Sequence, residues 1–384
     1  MGYLIIQVAH LNFKMETFIN QLVYFGFFQS LFLLLVFLFS KKLRKSINGY
    51  IAFLIFSLTI GLIGRIINIS EVFGTDFRFI AFSEFATLFF GATIYLFTRS
   101  SLNGKSFVTK DLRHFIPGVV YIIFVVFVFI LPSNEVIGAR ANSGELQRTI
   151  TLFMGTALAF NITYWLMSLN IFIQFQKKLK NELSYSVQSR FFTNFLVAIG
   201  ICLLSWTTLY FLSIFGDQMI ERNARQFIWL GITFIILLIT YYGIRSPELY
   251  QIAPLIKPKK YAQSKLSNAD LDVLKSQLEV IMEEKKPFLN NKLLKSELAE
   301  MLGVSNPEMA RLLNEKVGMN FFEYVNYHRI KEFVSLAKTD KAKSLTFFAL
   351  AQEAGFNSKT TFNKSFRQLM GSSPKEYLSN NSVE

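Results

Sequence analysis

Cysteine is almost absent from this chain: Cys202 is the one thiol in 384 residues. One thiol closes no intrachain disulfide and builds no thiolate metal site. Histidine is nearly as rare, and His10, His114 and His328 are too scattered for a metal cluster or a catalytic pair. No Gly-rich phosphate loop and no nucleophile elbow is present. These absences argue against an enzyme, and they imply no cofactor and no metal. The first twenty residues lack the basic region and small-residue cleavage site of a signal peptide. The opening Met-Gly-Tyr-Leu-Ile-Ile lacks the Ser/Thr of a myristoylation signal, and Met15 is an alternative start.

Apolar side chains are what the chain has in excess. Hydrophobic residues make up 52% of it and phenylalanine alone supplies 43 residues. With a positive mean hydropathy, this composition belongs to a membrane protein. Seven apolar runs have the ~20 residues a span needs, at 20–40, 48–67, 79–98, 115–132, 150–175, 191–215 and 226–244. The fifth is long, and Asn161 and Asn170 interrupt it.

The net charge of +14 invites a nucleic-acid reading, but its distribution favours topology. Residues 1–260 carry 23 Lys/Arg against 11 Asp/Glu, whereas residues 261–384 carry 17 against 15. Sixteen basic residues follow the odd-numbered runs: Lys41 to Lys45, Arg99 to Arg113, Lys177 to Arg190, and Arg245 to Lys260. The opposite loops hold six, namely Lys14, Arg78, Arg140, Arg148, Arg222 and Arg225. The bias predicts an outside N-terminus and a cytoplasmic C-terminal part, which requires an odd number of spans. No outer segment exceeds roughly twenty residues, too few for a folded ectodomain, so any stimulus is small, lipid-soluble or read within the spans.

Arg65 and Glu84 are ionisable residues inside runs, both toward the outer side. Intramembrane charges are costly and usually pair. They read either as a polar ligand pocket or switchable ion pair, or as a snorkelling arginine and a packing glutamate. Trp165, Trp206 and Trp229 suit interface anchors or core packing better than pocket walls. No run contains GxxxG.

The chain changes solvent near Arg245. Residues 1–245 form the expected transmembrane domain, and 246–266 a linker stiffened by Pro247, Pro254 and Pro258, with lysines suited to anionic headgroups. Residues 267–384 form a soluble helical domain. A helix is expected from Asn268 to about Lys285, with Ser267 and Asp270 as a capping box and Leu266 and Leu271 as a hydrophobic staple. Leu294 to Leu302, the turn Gly303-Val304-Ser305 and a helix from Asn306 then make a helix-turn-helix, with a Ser305/Glu308 capping box. Leu298, Leu302, Met309 and Leu312 should form its core. The pattern returns at Phe347 to Ala354, Gly355-Phe356-Asn357 and Ser358 to Arg367, with Asn357 as cap and Phe356, Phe362 and Phe366 buried. One long helix, 321–337, should separate the two.

Residues 270–380 resemble the AraC/XylS-type DNA-binding domain. The matches are Glu297-Leu298-Ala299, Leu302 to Ser305, Gly318, Phe321, Tyr324, Arg329-Ile330, Ala351, Gly355-Phe356, Phe362, Phe366, Gly371, Pro374 and Tyr377. The resemblance spans about 110 residues, under a third of the chain, and is densest from Leu345 to Tyr377. It implies two helix-turn-helix units whose recognition helices enter successive major grooves, ~34 Å apart. Phe333 departs from the family, which usually has a small residue there. The first unit also has more acidic than basic residues, and Arg311 is its main donor.

Phosphate attraction is therefore expected in the second unit, where 341–375 holds six basic residues and Glu353 alone opposes them. Lys359, Thr360, Asn363 and Lys364 would read base edges. Lys341, Lys343, Arg367 and Lys375 would hold phosphates. A solvated polar face is the plainer alternative for an isolated helix.

The fold class expected is all-α: a seven-helix transmembrane bundle followed by a cytoplasmic domain with two helix-turn-helix units. The function expected is membrane-anchored, sequence-specific transcription regulation, most simply in the cytoplasmic membrane of a bacterium. Double-stranded DNA and the lipid bilayer are its partners, with a small ligand and a homodimer left open. The alternative is a membrane receptor or transporter whose helical tail binds protein.

Overall fold

In a computed structural model, the structure describes residues 2–39, 49–70, 81, 84–187, 189–215, 218–245 and 267–380. The linker at 246–266 and the staple residue Leu266 lie outside the described residues. The described residues are helical, with no strand and one antiparallel bridge between Leu183 and Leu294. Two compact units emerge. The first holds Met1–Ile173 and Ser189–Leu255, the second Gln174–Gln188 and Ile256–Glu384. The second thus takes in a short segment, 174–188, most of which lies between the fifth and sixth expected runs.

The first unit contains α1 (Gly2–Phe39), α2 (Gly49–Ser70), α3 (Phe85–Asn103), α4 (Ile116–Val125), α5 (Asn134–Asn142), α6 (Glu145–Glu182, which continues into the second unit), α7 (Arg190–Phe215) and α8 (Gln218–Arg245). Helix α1 packs on α2 and α8, α2 on α3, α3 on α4, and α7 on α8. Five stretches among the described residues are long and apolar enough to cross a membrane: Thr17–Phe39, Gly49–Ile67, Thr109–Ile130, Glu145–Glu182 and Arg190–Phe215. They fall on five of the seven expected runs. The other two runs fall on α3 and α8, and the apolar part of α8, Trp229–Gly243, is shorter. Helix α3 is rich in small and hydroxylic residues because most of it is buried among neighbours, including Gly91, Thr93, Thr98 and Ser101.

Several polar groups in this unit are satisfied within their own helix. Hydroxyls of Thr59, Thr93, Ser168, Thr207 and Thr240 donate to the carbonyl four residues back, which removes a bare donor from an apolar setting. Asn161 does not break α6: its Nδ2 donates to Ala157 O at 2.7 Å and to Thr87 O at 2.9 Å. Gly91 permits that approach, since a Cβ there would stand 2.8 Å from Asn161 Oδ1. Trp165 Nε1 donates to Leu196 O at 2.9 Å, which makes it a packing residue.

The second unit contains α9 (Asn268–Glu284), α10 (Lys295–Met301), α11 (Asn306–Leu312), α12 (Phe321–Leu336), α13 (Lys341–Ser344), α14 (Phe347–Glu353), α15 (Lys359–Met370) and α16 (Pro374–Asn380). The capping boxes at Ser267/Asp270 and Ser305/Glu308 are formed. At α15 the cap is Ser358, which accepts from Thr361 N, rather than Asn357. Serine is the residue directly before the helix, within reach of the orphan N–H three positions on.

Two small cores form. Leu298, Leu302, Met309 and Leu312 join Leu271, Leu278, Phe321 and Tyr324 in one. Phe356, Phe362 and Phe366 join Ile330, Phe333 and Leu350 in the other. Helix α12 supplies residues to both. Phe333, the departure from the family pattern, packs against Phe362 and Phe366 with ring centroids 4.7 and 5.7 Å away.

Gly303 and Gly355 both have positive φ, +72° and +97°. Around Gly303 there is open space, but a Cβ at Gly355 would collide with Phe288 O and lie 3.0 Å from Arg329 Nε. Gly303→Ala should therefore cost only the left-handed penalty of about 1–2 kcal/mol. Gly355→Ala should cost about 3 kcal/mol or more, because backbone must also shift. Hydrogen exchange of the amides in 288–366 of the full chain checks the order, and equal losses would contradict it.

Candidate nucleic-acid interface

A helix, a turn and a second helix occur twice in the second unit, as α10–α11 and α14–α15. The later pair presents the clearer polar face. Helix α15 buries Thr361, Phe362, Ser365 and Phe366 and exposes Lys359, Thr360, Asn363, Lys364 and Arg367. Buried positions recurring at one, four and five residues turn that edge inward, so the remaining positions share the outer surface. An open groove of about 1060 Å³ runs along it, lined by Thr346, Phe347, Lys359, Lys364, Arg367 and Lys375. Four cations therefore face one concave surface, while the groove lining contains no carboxylate.

The other expected contacts are placed differently. Lys341 is exposed, and its Nζ lies 2.6 Å from Glu353 Oε2. The side chain of Lys343 lies outside the described residues. Arg311 is half-buried on α11, with Nε 2.9 Å from Glu315 Oε2, one helical turn on. In the first unit Arg65 Nη2 donates to Asn20 Oδ1 at 3.4 Å. The first unit also holds an ion pair that sequence reasoning missed, in which both terminal guanidinium nitrogens of Arg99 donate to the buried Asp111. A lone arginine beside a loop aspartate twelve residues away carries no local signal of pairing.

Arg329 is the structural centre of the second unit. It is 1% exposed, yet every nitrogen finds an acceptor. Nε donates to Phe288 O at 2.8 Å, and Nη2 to Asn290 O at 2.8 Å and Ser184 Oγ at 3.1 Å. Nη1 donates to Ser184 O at 2.6 Å and Asn326 Oδ1 at 3.3 Å. Burial pulls the guanidinium down to about 9. That still leaves it charged at neutral pH.

A family model described as a helix-turn-helix domain matches residues 298–380. It is of the AraC type that the motifs resemble. No curated protein and no solved structure matches the chain. The matched domain supports a DNA-binding transcription regulator, a kind of protein that is generally not an enzyme. The rest of the chain contributes apolar helices compatible with a membrane domain.

His328, beside Arg329, is packed among Phe288, Tyr324 and Tyr327. Burial, helped by the nearby Lys331 charge, lowers its pKa to about 4. The folded pKa lies below the unfolded value near 6.5, so the unfolded chain binds more protons between those limits. Stability should be complete above about pH 6.5 and fall as pH drops toward 4. Hydrogen exchange of α12 at pH 7 and pH 5, corrected for intrinsic rates, should show that loss. The loss should be smaller in His328→Gln, and an unchanged slope would refute the assignment.

Proposed function

We propose that the chain is a membrane-anchored, sequence-specific DNA-binding transcription regulator. The exposed row Lys359, Thr360, Asn363, Lys364 and Arg367 on one face of α15 carries this reading. Lys359, Asn363 and Lys364 are the right types to read guanine and adenine edges, and the Thr360 hydroxyl can donate to or accept from a base edge. Arg367, Lys341 and Lys343 bind phosphates, which set register without specifying sequence. Arg311 is the first pair's contribution, once DNA competes with Glu315 for it.

Residues 1–245 are the anchor, with seven spans and the N-terminus outside, and 246–266 link it to a cytoplasmic domain at 267–384. The basic bias of alternate loops supports that orientation. Large apolar side chains exposed along the candidate spans, among them Phe28, Phe32, Leu38, Leu204 and Phe211, suit a hydrocarbon solvent. The inner membrane of a bacterium is the simplest setting where one chain reaches both lipid and DNA. Arg65 and Glu84 are proposed as an intramembrane polar pair through which a small or lipid-soluble ligand acts, with a homodimer as the DNA-bound form.

The full chain in lipid nanodiscs should bind a labelled random-sequence duplex library at low salt and release it as salt rises. Lys364→Ala and Arg367→Ala should each weaken binding, with Arg367→Ala lowering the salt slope by about one. Asn363→Ala should relax the sequence preference of the selected pool. Absence of binding at low salt by any form of the chain would overturn the reading.

A further inference from the structure

The second unit includes a segment that helix-turn-helix chemistry does not require. Residues 182–186, at the end of α6, lie in a shallow cleft on the domain. Leu183 is 1% exposed and forms the antiparallel bridge with Leu294. Ser184 is fully buried, and its N–H donates to Leu293 O at 3.2 Å. Its carbonyl and hydroxyl both accept from Arg329. Glu182 accepts from Lys295 Nζ at 2.8 Å, an ammonium that is itself 4% exposed. Ser186 Oγ lies 2.8 Å from Thr361 Oγ1, on the helix with the exposed cationic row.

These contacts use backbone, charge and apolar burial together, and they reach both helix–turn–helix pairs. Lys295 begins α10, and Thr361 belongs to α15. The approach to α11 is also occupied. Its first turn, Asn306, Pro307 and Ala310, lines one wall of a cleft whose other wall is Lys177, Lys178 and Asn181 of α6. A recognition helix reads bases with its N-terminal residues. In this arrangement those residues of α11 line a cleft whose other wall is α6.

We infer that the cleft formed by Leu293, Leu294, Lys295, Arg329 and Thr361 is a docking site for 182–186 of this same chain, and that the seated segment holds the domain in a form with low affinity for DNA. Seating places the end of α6 before α11 and ties α15 through Thr361. Release clears the approach to α11 and frees α15, whose cationic face is already exposed, from its tie at Thr361. Because α6 also carries the fifth expected span, movement of that helix reaches the DNA-binding domain directly, without passing through 246–266. This inference rests on the DNA-binding reading above.

The test uses the full chain in nanodiscs, with Cys202→Ser as background and Ser186→Cys plus Thr361→Cys added. Mild oxidation should form the 186–361 disulfide, and the oxidised chain should bind the duplex library at least tenfold more weakly than the same sample after reduction. Leu183→Asp, which changes no residue of 267–384, should abolish the cross-link and raise affinity above that of the unsubstituted chain. Failure to cross-link overturns the docking site. Equal or tighter binding by the oxidised form overturns its inhibitory role. If oxidised, reduced and Leu183→Asp chains all fail to bind at low salt, the DNA-binding reading falls, and the inhibitory role with it.

Discussion

The buried guanidinium of Arg329 is the interaction on which the second unit depends. Taking a cation out of water is expensive, and no carboxylate offsets it here. Compensation comes from carbonyl and hydroxyl acceptors on three pieces of chain: the loop at Phe288 and Asn290, the α6 end at Ser184, and Asn326 on α12. A planar fork meets such a dispersed set, and a lysine ammonium does not. Gly355 completes the arrangement, since its missing side chain lets the turn before α15 approach Phe288 and Arg329.

The two cores show why this centre matters. Each gathers few residues, and both draw on α12, the first through Phe321, Tyr324 and Val325 and the second through Ile330 and Phe333. Arg329 lies at the changeover. The spacing of the two helix–turn–helix pairs is therefore fixed by one helix and by the polar cluster beside it, and a duplex that binds both pairs must fit that spacing.

Much of this was legible in the sequence because its causes are local. Ser267, Ser305 and Gly303 act within one turn of their own positions, and helix limits at Asn268 and Asn306 followed from them. Apolar run length located the candidate spans on α1, α2, α4, α6 and α7. Helix α3 was harder to bound, because a buried helix uses small hydroxylic residues and loses hydropathy. The polar face of α15 was readable from its phenylalanine spacing. The pairing of Lys341 with Glu353, the Arg99–Asp111 pair and the seating of Ser184 were not readable. Each joins residues through tertiary folding, and Ser184 lies 145 positions from Arg329. Arg329 was visible as a family match, while its acceptors were not.

Arg329 unites the α6 end, the first core and the second core into one cooperative structure. Hydrogen exchange of the full chain carrying Arg329→Lys tests this most directly. Protection should fall together at 183–186, at 288–294 and at 347–366, while α7 is unaffected. Loss confined to the neighbours of residue 329 on α12, with protection at 183–186 retained, would contradict it.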